Sequence, residues 1–162
     1  MRLTFWMSFW VFLVDQATKY FVVHTLDLNT RQVVDVFPPF LTFRMAWNEG
    51  INFGLFAGLD MRWILVGVAV AISLFVLWWV RREGGSKWVY LSAGLLVGGA
   101  LGNIVDRILY GAVADFLNMS CCGIRNPYAF NIADIAIFAG AIGLVLFTGE
   151  KKPHKNDTKK TS

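Results

Sequence analysis

An all-α membrane protein, built as a bundle of four transmembrane helices with a small β-element on its outer side, is the fold that three features of this sequence predict. The chain is 56% hydrophobic and only 16% charged, against about 45–50% and about 25% for a soluble domain, and its mean hydropathy is +0.53. A chain of 162 residues cannot hide that much apolar surface in one core, because small domains leave much of their surface exposed. The apolar residues gather in four runs, each near the ~20 residues that cross ~30 Å of hydrocarbon.

The first run is 3–26. It is long for the apolar part of a cleaved secretory signal, no A-x-A-like cleavage site follows it, and it carries Asp15 and Lys19. In the segment 27–61, Leu41, Phe43, Met45 and Trp47 alternate with Thr42, Arg44 and Ala46, a period-two strand pattern. Pro38-Pro39 precedes that strand, and Asn48-Glu49-Gly50 reads as a turn after it. Phe53, Leu55, Phe56 and Leu59 are expected to form a short interfacial helix or loop. The second span, 63–80, starts just after Arg62, and the third, 88–106, ends at Asp106-Arg107. Gly94, Gly98 and Gly102 recur every fourth residue of the third span, with Gly99 beside them, the spacing of close helix–helix contact in membranes. The fourth, 128–149, holds one charge, Asp134. Trp6, Trp63, Trp78, Trp79 and Trp88 stand near the edges of the runs, where an interfacial aromatic belt belongs. One membrane-embedded domain, 1–149, is expected, followed by a basic, disordered tail, 150–162.

Charge distribution sets orientation and excludes one class of partner. Arg81, Arg82 and Lys87 lie between the second and third runs, and Lys151, Lys152, Lys155, Lys159 and Lys160 lie in the tail. The segments 27–61 and 107–127 hold only Arg31, Arg44, Arg107 and Arg125. Basic residues mark the cytoplasmic side, so both termini face the cytoplasm and these two segments lie outside. A nucleic-acid patch interleaves basic and aromatic residues on a folded face; this tail has no aromatic residue, so no nucleic-acid partner is expected. Cys121 and Cys122 are adjacent, a placement that strains a disulfide, so both are expected to be small apolar loop residues.

Carboxylates are the reactive groups on offer. No metal-ligand cluster, P-loop, dinucleotide fingerprint or G-x-S-x-G elbow occurs, and no His lies near the cysteines; no cofactor is expected. Asp134 sits near the outer end of the fourth span, Asp106 closes the third at the same depth, and Asp115 follows in an apolar stretch. Intramembrane ionisable groups are costly and mark function. Two close carboxylates cannot both ionise cheaply, so one pKa rises and the other falls, which yields an acid and a base at one pH with a water between them. Spacing alone does not rank Asp106 against Asp115, and leaves open that Asp106 pairs with Arg107 while Asp115 solvates a loop. Asn103 and Arg107 share a helix face at i,i+4, as do Asp15 and Lys19, while Asn131 and Asp134 share one at i,i+3. A small transporter using these charges as an ion path and a non-catalytic scaffold using the glycine stripe are the rival classes.

Five stretches, in order, resemble the lipoprotein signal peptidase (signal peptidase II) family: Asp15-Gln16-Ala17-Thr18-Lys19, Asn48-Glu49-Gly50-Ile51-Asn52-Phe53-Gly54, Gly98 to Arg107, Val113-Ala114-Asp115-Phe116, and Ala129 to Asp134. The resemblance implies an aspartyl endopeptidase of the bacterial inner membrane, working at the periplasmic face without a metal or organic cofactor. Its substrate would be a diacylglyceryl-modified prolipoprotein, cut just before the lipidated cysteine, with the acyl chains held in membrane lipid; a monomer is expected. By motif position Asp115 and Asp134 match the catalytic pair. Asn48, Gly50, Asn103, Arg107 and Asn131 match residues that hold substrate backbone or the pair, Asp15 and Lys19 the polar pair of the first span, and Asp106 a supporting position beside the arginine. Ile51-Asn52 departs from the small residues commoner there.

Overall fold

The structure is a computed structural model that describes residues 1–50, 60–121 and 126–149. The expected interfacial element at 53–59, the tail from 150 and Cys122 lie outside the described residues. The rest is mostly helical: α1 (Arg2–Tyr20), a four-residue α2 (Leu28–Arg31), α3 (Met61–Glu83), α4 (Lys87–Tyr110) and α5 (Ile132–Thr148), with strands β1 (Val33–Phe37), β2 (Leu41–Asn48) and β3 (Val113–Met119). Two helices, α3 and α4, are long and apolar enough to cross a membrane, and α5 is a shorter apolar helix.

Local chemistry sets the helix ends. Asp60 caps α3 by accepting a hydrogen bond from the Arg62 amide at 3.1 Å, and Gly111, at φ +81°, closes α4 in the left-handed region, which favours glycine. The run that begins at 128 becomes helical only at Ile132, because Asn131 caps α5 in a reciprocal box with Asp134. At the other end of α1 the helix loosens into a π-turn, Phe21–Thr25.

The glycines of α4 work as their spacing predicts. A Cβ on Gly98 would lie 2.7 Å from the Ser8 carbonyl oxygen of α1, and one on Gly94 would lie 2.9 Å from that of Thr4. Gly99 faces the Ala133 carbonyl of α5, and Gly102 faces the Asp15 carboxylate. Helix α4 is therefore central, with α1 and α5 against it. By contrast α3 buries only Ser73, Val76 and Val80, and leaves Trp63, Leu74, Phe75 and Trp78 more than half exposed. Apolar exposure on that scale calls for lipid or a partner.

The predicted strand is β2, and it is the middle of a three-stranded antiparallel sheet ordered β1-β2-β3. Its neighbours have no clean alternation; β3 is buried along nearly its whole length, which hides the period-two signal. The register shifts between Phe43 and Ala46, where three β2 residues span two of β3. This bulge inverts the alternation, so Trp47 turns away to 41% exposure while Asn48 comes onto the face of Asp115. Beneath the sheet, Val22, Val23, Leu28, Met45, Phe116 and Leu117 form a core, with Phe43 edge-on to Phe116 at 5.7 Å. Cys121 is disulfide-bonded, which corrects its reading as a small apolar loop residue.

Because the atoms facing Gly98 are the Ser8 backbone and the Val11 Cβ, which is fixed to its backbone, Gly98→Ala should cost ~1–3 kcal/mol. Gly67→Ala, with nothing within 4 Å of the new Cβ, should stay within ~0.5 kcal/mol of the parent or gain slightly. Thermal unfolding in one detergent compares the two, and equal effects would refute the close packing of α1 on α4.

Candidate active site

Two polar clusters meet where α1 and α4 end and α5 begins. In the deeper one, the Lys19 ammonium lies 2.8 Å from Asp15 Oδ2 and 2.8 Å from Asp106 Oδ2. It also donates to Asn103 Oδ1 at 3.2 Å. The pairing of Asp15 with Lys19 is thus made, and Asp106 joins it instead of pairing with Arg107. Backbone amides add to this: Asp15 Oδ1 accepts from the Ala133 amide at 2.9 Å, and Asp106 Oδ2, already paired with Lys19, also accepts from the Ala114 amide at 3.3 Å. Gln16 donates to Asp106 Oδ1 at 3.0 Å and to Asp15 Oδ2 at 3.2 Å. All three charged side chains are at most 5% exposed, so each needs these partners.

The shallower cluster holds Asp115 and Asp134. Asp115 points from β3 and is 3% exposed, so it is no loop solvator. Asn131 Nδ2 donates to its Oδ1 at 2.6 Å, and Asn48 Nδ2 to its Oδ2 at 3.0 Å. Asp134, half-buried on the first turn of α5, accepts from Asn103 Nδ2 at 2.9 Å and from the Asn131 backbone amide at 3.1 Å. One residue, Asn131, therefore touches both carboxylates. Asn103 ties the clusters together, accepting from Lys19 and donating to Asp134. The bond from Lys19 also fixes which end of the Asn103 amide faces Asp134.

Gly50 sits at φ +97°, and its amide donates to Asn48 Oδ1 at 3.0 Å. That turn leaves the Asn48 amide nitrogen free to face Asp115. Arg107 donates to the Asn103 carbonyl at 3.3 Å. Its Nε is buried with no hydrogen-bond partner among the described residues, and the charges of Asp115, Asp134 and Asp106 lie around it. No three His, Cys, Asp or Glu side chains group as metal ligands among the described residues.

Asp15, Lys19, Asn48, Gly50, Asn103, Asp106, Arg107, Asp115, Asn131 and Asp134 are thus all gathered in one region, although they come from five elements. Gln16 joins the cluster without standing among the predicted site residues; its place between Asp15 and Lys19, an opposite-charge pair one helical turn apart, could have marked it. The backbone amides of Ala114 and Ala133 carry no sequence signal at all.

Comparison with known proteins shows the family of the chain. A family model described as signal peptidase (SPase) II matches residues 7–149. A lipoprotein signal peptidase of Methylobacterium sp. (strain 4-46) is 45% identical over 138 residues, 84% of this chain and 82% of that protein. One from Alteromonas mediterranea is 38% identical over 157 residues, covering 93% and 84%. A solved bacterial membrane enzyme superposes with TM-score 0.78 at 26% identity, covering 90% of this chain and 92% of its own. A second gives TM-score 0.73 at 27% identity, covering 98% and 96%.

Electrostatics act on the Asp115 carboxyl. Burial, and then the charge of Asp134, push the Asp115 carboxyl up to about 6, while the amides of Asn48 and Asn131 and the charge of Lys19 pull it part of the way back. The unfolded value is 3.8, so between there and about 6 the folded state holds more protons. Stability is accordingly withdrawn as pH rises through that window. Infrared titration, taken as the difference against Asp115→Asn, should find a midpoint near pH 6. Asp134→Asn removes a repelling charge and should move that midpoint down; an unmoved midpoint would refute the opposition of the two charges.

Proposed function

The chain belongs to the signal peptidase II family, and from that premise we propose that it is an aspartic endopeptidase in which Asp115 and Asp134 do the chemistry. It is a membrane protease that removes signal peptides from prolipoproteins. The finer reading is that it cuts diacylglyceryl-modified substrates just before the lipidated cysteine. The observation that carries the aspartic reading is Asn131, whose amide side chain and backbone hold one carboxylate each. Two acids held that close, one of them pushed up to about 6, supply a proton donor and a proton acceptor together.

In this reading one carboxylate takes a proton from water and the resulting hydroxide attacks the scissile carbonyl carbon. The other, protonated, gives its proton to the carbonyl oxygen. The tetrahedral intermediate collapses and the C–N bond breaks as the proton first taken from water passes to the leaving amine and a hydroxyl proton of the intermediate returns to the second carboxylate. Arg107 and Asn48 are the donors left to hold substrate backbone, and Arg107 Nε still has a hydrogen to give. Asn103 and Asn131 orient the acids, while Asp15, Lys19 and Asp106 position Asn103 from below. A transporter would need Asp15 and Lys19 free to pass a charge, whereas each is held by several partners.

The membrane reading extends α3 and α4 to four spans by adding α1 with its π-turn and α5. The exposed aromatic and aliphatic side chains of α1 and α5 support it. Residues 1–149 then make one inner-membrane domain with both termini in the cytoplasm, the sheet and both acids at the periplasmic face, and a monomer as the working unit.

Asp115→Asn and Asp134→Asn should each lower cleavage of a diacylglyceryl-modified prolipoprotein by roughly 10³-fold or more while the protein still inserts and unfolds at its usual temperature. Asp106→Asn leaves Lys19 with one carboxylate and should cost stability, by up to ~3–5 kcal/mol, more than chemistry. Full activity in either of the first two variants would refute the pair.

A further inference from the structure

A cavity of about 540 Å³ opens beside the buried ion cluster, between the end of α1, the π-turn and β2, and no step of the proposed chemistry takes place in it. Its walls carry three aromatic side chains, Tyr20, Trp47 and Tyr110, and the Asp27 carboxylate. Lys19 and Asp106 form part of its floor. Those two lining charges cancel, and Lys19 is shared with Asp15 as well, so the cavity is left negative by Asp27 and by the surplus carboxylate of the cluster. Aromatic faces around a net negative charge select a cation, and a partly desolvated ammonium over such rings gains ~0.5–2 kcal/mol.

The backbone around this cavity is unusual. A π-turn runs along it, and single π-bulges recur at functional sites. Asp27 holds φ +52°, a left-handed conformation that only Gly, Asn and Asp visit easily. Its Oδ1 accepts from Thr30 Oγ1 at 2.9 Å, which fixes the carboxylate. Asn29 Oδ1 accepts from the Trp47 indole at 3.3 Å, and the Trp47 and Tyr110 rings lie 5.8 Å apart, so two aromatic walls are held in place.

The level of the cavity identifies the source of the cation. The C-terminal ends of α1 and α4 stand side by side, joined by Lys19, Asn103 and Asp106. Around them Tyr20 is 68% exposed, Phe21 50%, Tyr110 57% and Trp47 41%. Amphipathic rings gathered at one height mark the headgroup layer. We propose that this cavity binds the headgroup of a zwitterionic phospholipid whose alcohol carries an ammonium, such as an ethanolamine phospholipid. The ammonium enters between the Tyr20, Trp47 and Tyr110 rings toward Asp27. His24, which also lines the cavity and rests on Tyr20 with centroids 5.0 Å apart, offers an N–H to the phosphate. The acyl chains stay in the bilayer outside. The lipid bound here is not the substrate, and the assignment is independent of which carboxylates cut the peptide.

The test is calorimetric titration of the detergent-solubilised full chain with dihexanoyl-phosphatidylethanolamine, dihexanoyl-phosphatidylglycerol and soluble phosphoethanolamine. The ethanolamine lipid should bind, and the glycerol lipid about tenfold or more weaker. Asp27→Asn keeps the shape and the left-handed backbone and should weaken the ethanolamine lipid about tenfold, as should Tyr20→Leu, with unfolding temperatures checked for both. Asp134→Asn should bind like the parent chain whatever it does to cleavage, which separates this site from the proposed chemistry. Equal binding of the two lipids would show a groove for acyl chains only and overturn the proposal. Unchanged binding in a folded Asp27→Asn variant would do the same, and phosphoethanolamine binding as tightly as the lipid would overturn the membrane source.

Discussion

The arrangement depends on one buried ion cluster. Lys19 cannot sit charged among packed helices unless carboxylates meet it, and Asp15 and Asp106 do so from α1 and α4. The same two carboxylates also take backbone amides of α5 and β3. A single ammonium thereby joins every element that carries the candidate site, apart from β2. Such a cluster is poor evidence of net stability, because the desolvation of its members offsets much of their attraction. Its effect is on specificity of position: only one arrangement of α1, α4, α5 and β3 satisfies all of its bonds. The absence of a Cβ at Gly102 is what lets Asp15 reach the cluster.

From there, position passes outward through amides. Asn103 receives a hydrogen bond from Lys19 and gives one to Asp134; Asn131 links Asp134 to Asp115. Asparagine suits these places because one end of its side chain accepts while the other donates, so each bond fixes the direction of the next. An aspartate in place of either would set a third negative charge against the pair. The capping box of α5 is part of the same chain, so the start of the helix and the seat of the acid are one feature.

The membrane and the chemistry pull in opposite directions, and the fold divides them by height. Below the cluster the helices present apolar side chains outward and small residues to one another. Above it, a three-stranded sheet covers the acids, and its exposed backbone groups can exist only where water or substrate is present. Peptide hydrolysis needs water, whereas a lipid-modified substrate stays in the bilayer. In the proposed reading, a pair of acids at the membrane rim, next to the strands and the ion cluster, meets both needs. The aromatic cavity at the same height faces the headgroups from the other side of that floor.

Much of this could be read from the sequence. The apolar runs that became helices, the glycine spacing of α4, the strand at 41–48 and the family of the chain all follow from patterns local in sequence, because helix and strand periods repeat within a few residues. The i,i+4 spacing also put Asp15 beside Lys19. What no local pattern held was which carboxylate Lys19 would share, since Asp106 is distant in sequence and its neighbour Arg107 is the nearer cation. Strand β3 shows no alternation because it is buried along nearly its whole length. Strand β1, although mostly exposed, has apolar residues at successive positions, and the bulge that carries Asn48 to Asp115 reverses the alternation that β2 does show. Composition and periodicity determined which segments become apolar helices. The pairing of charges, and with it the candidate site, was decided only when the tertiary structure removed water and left each buried charge a single set of partners.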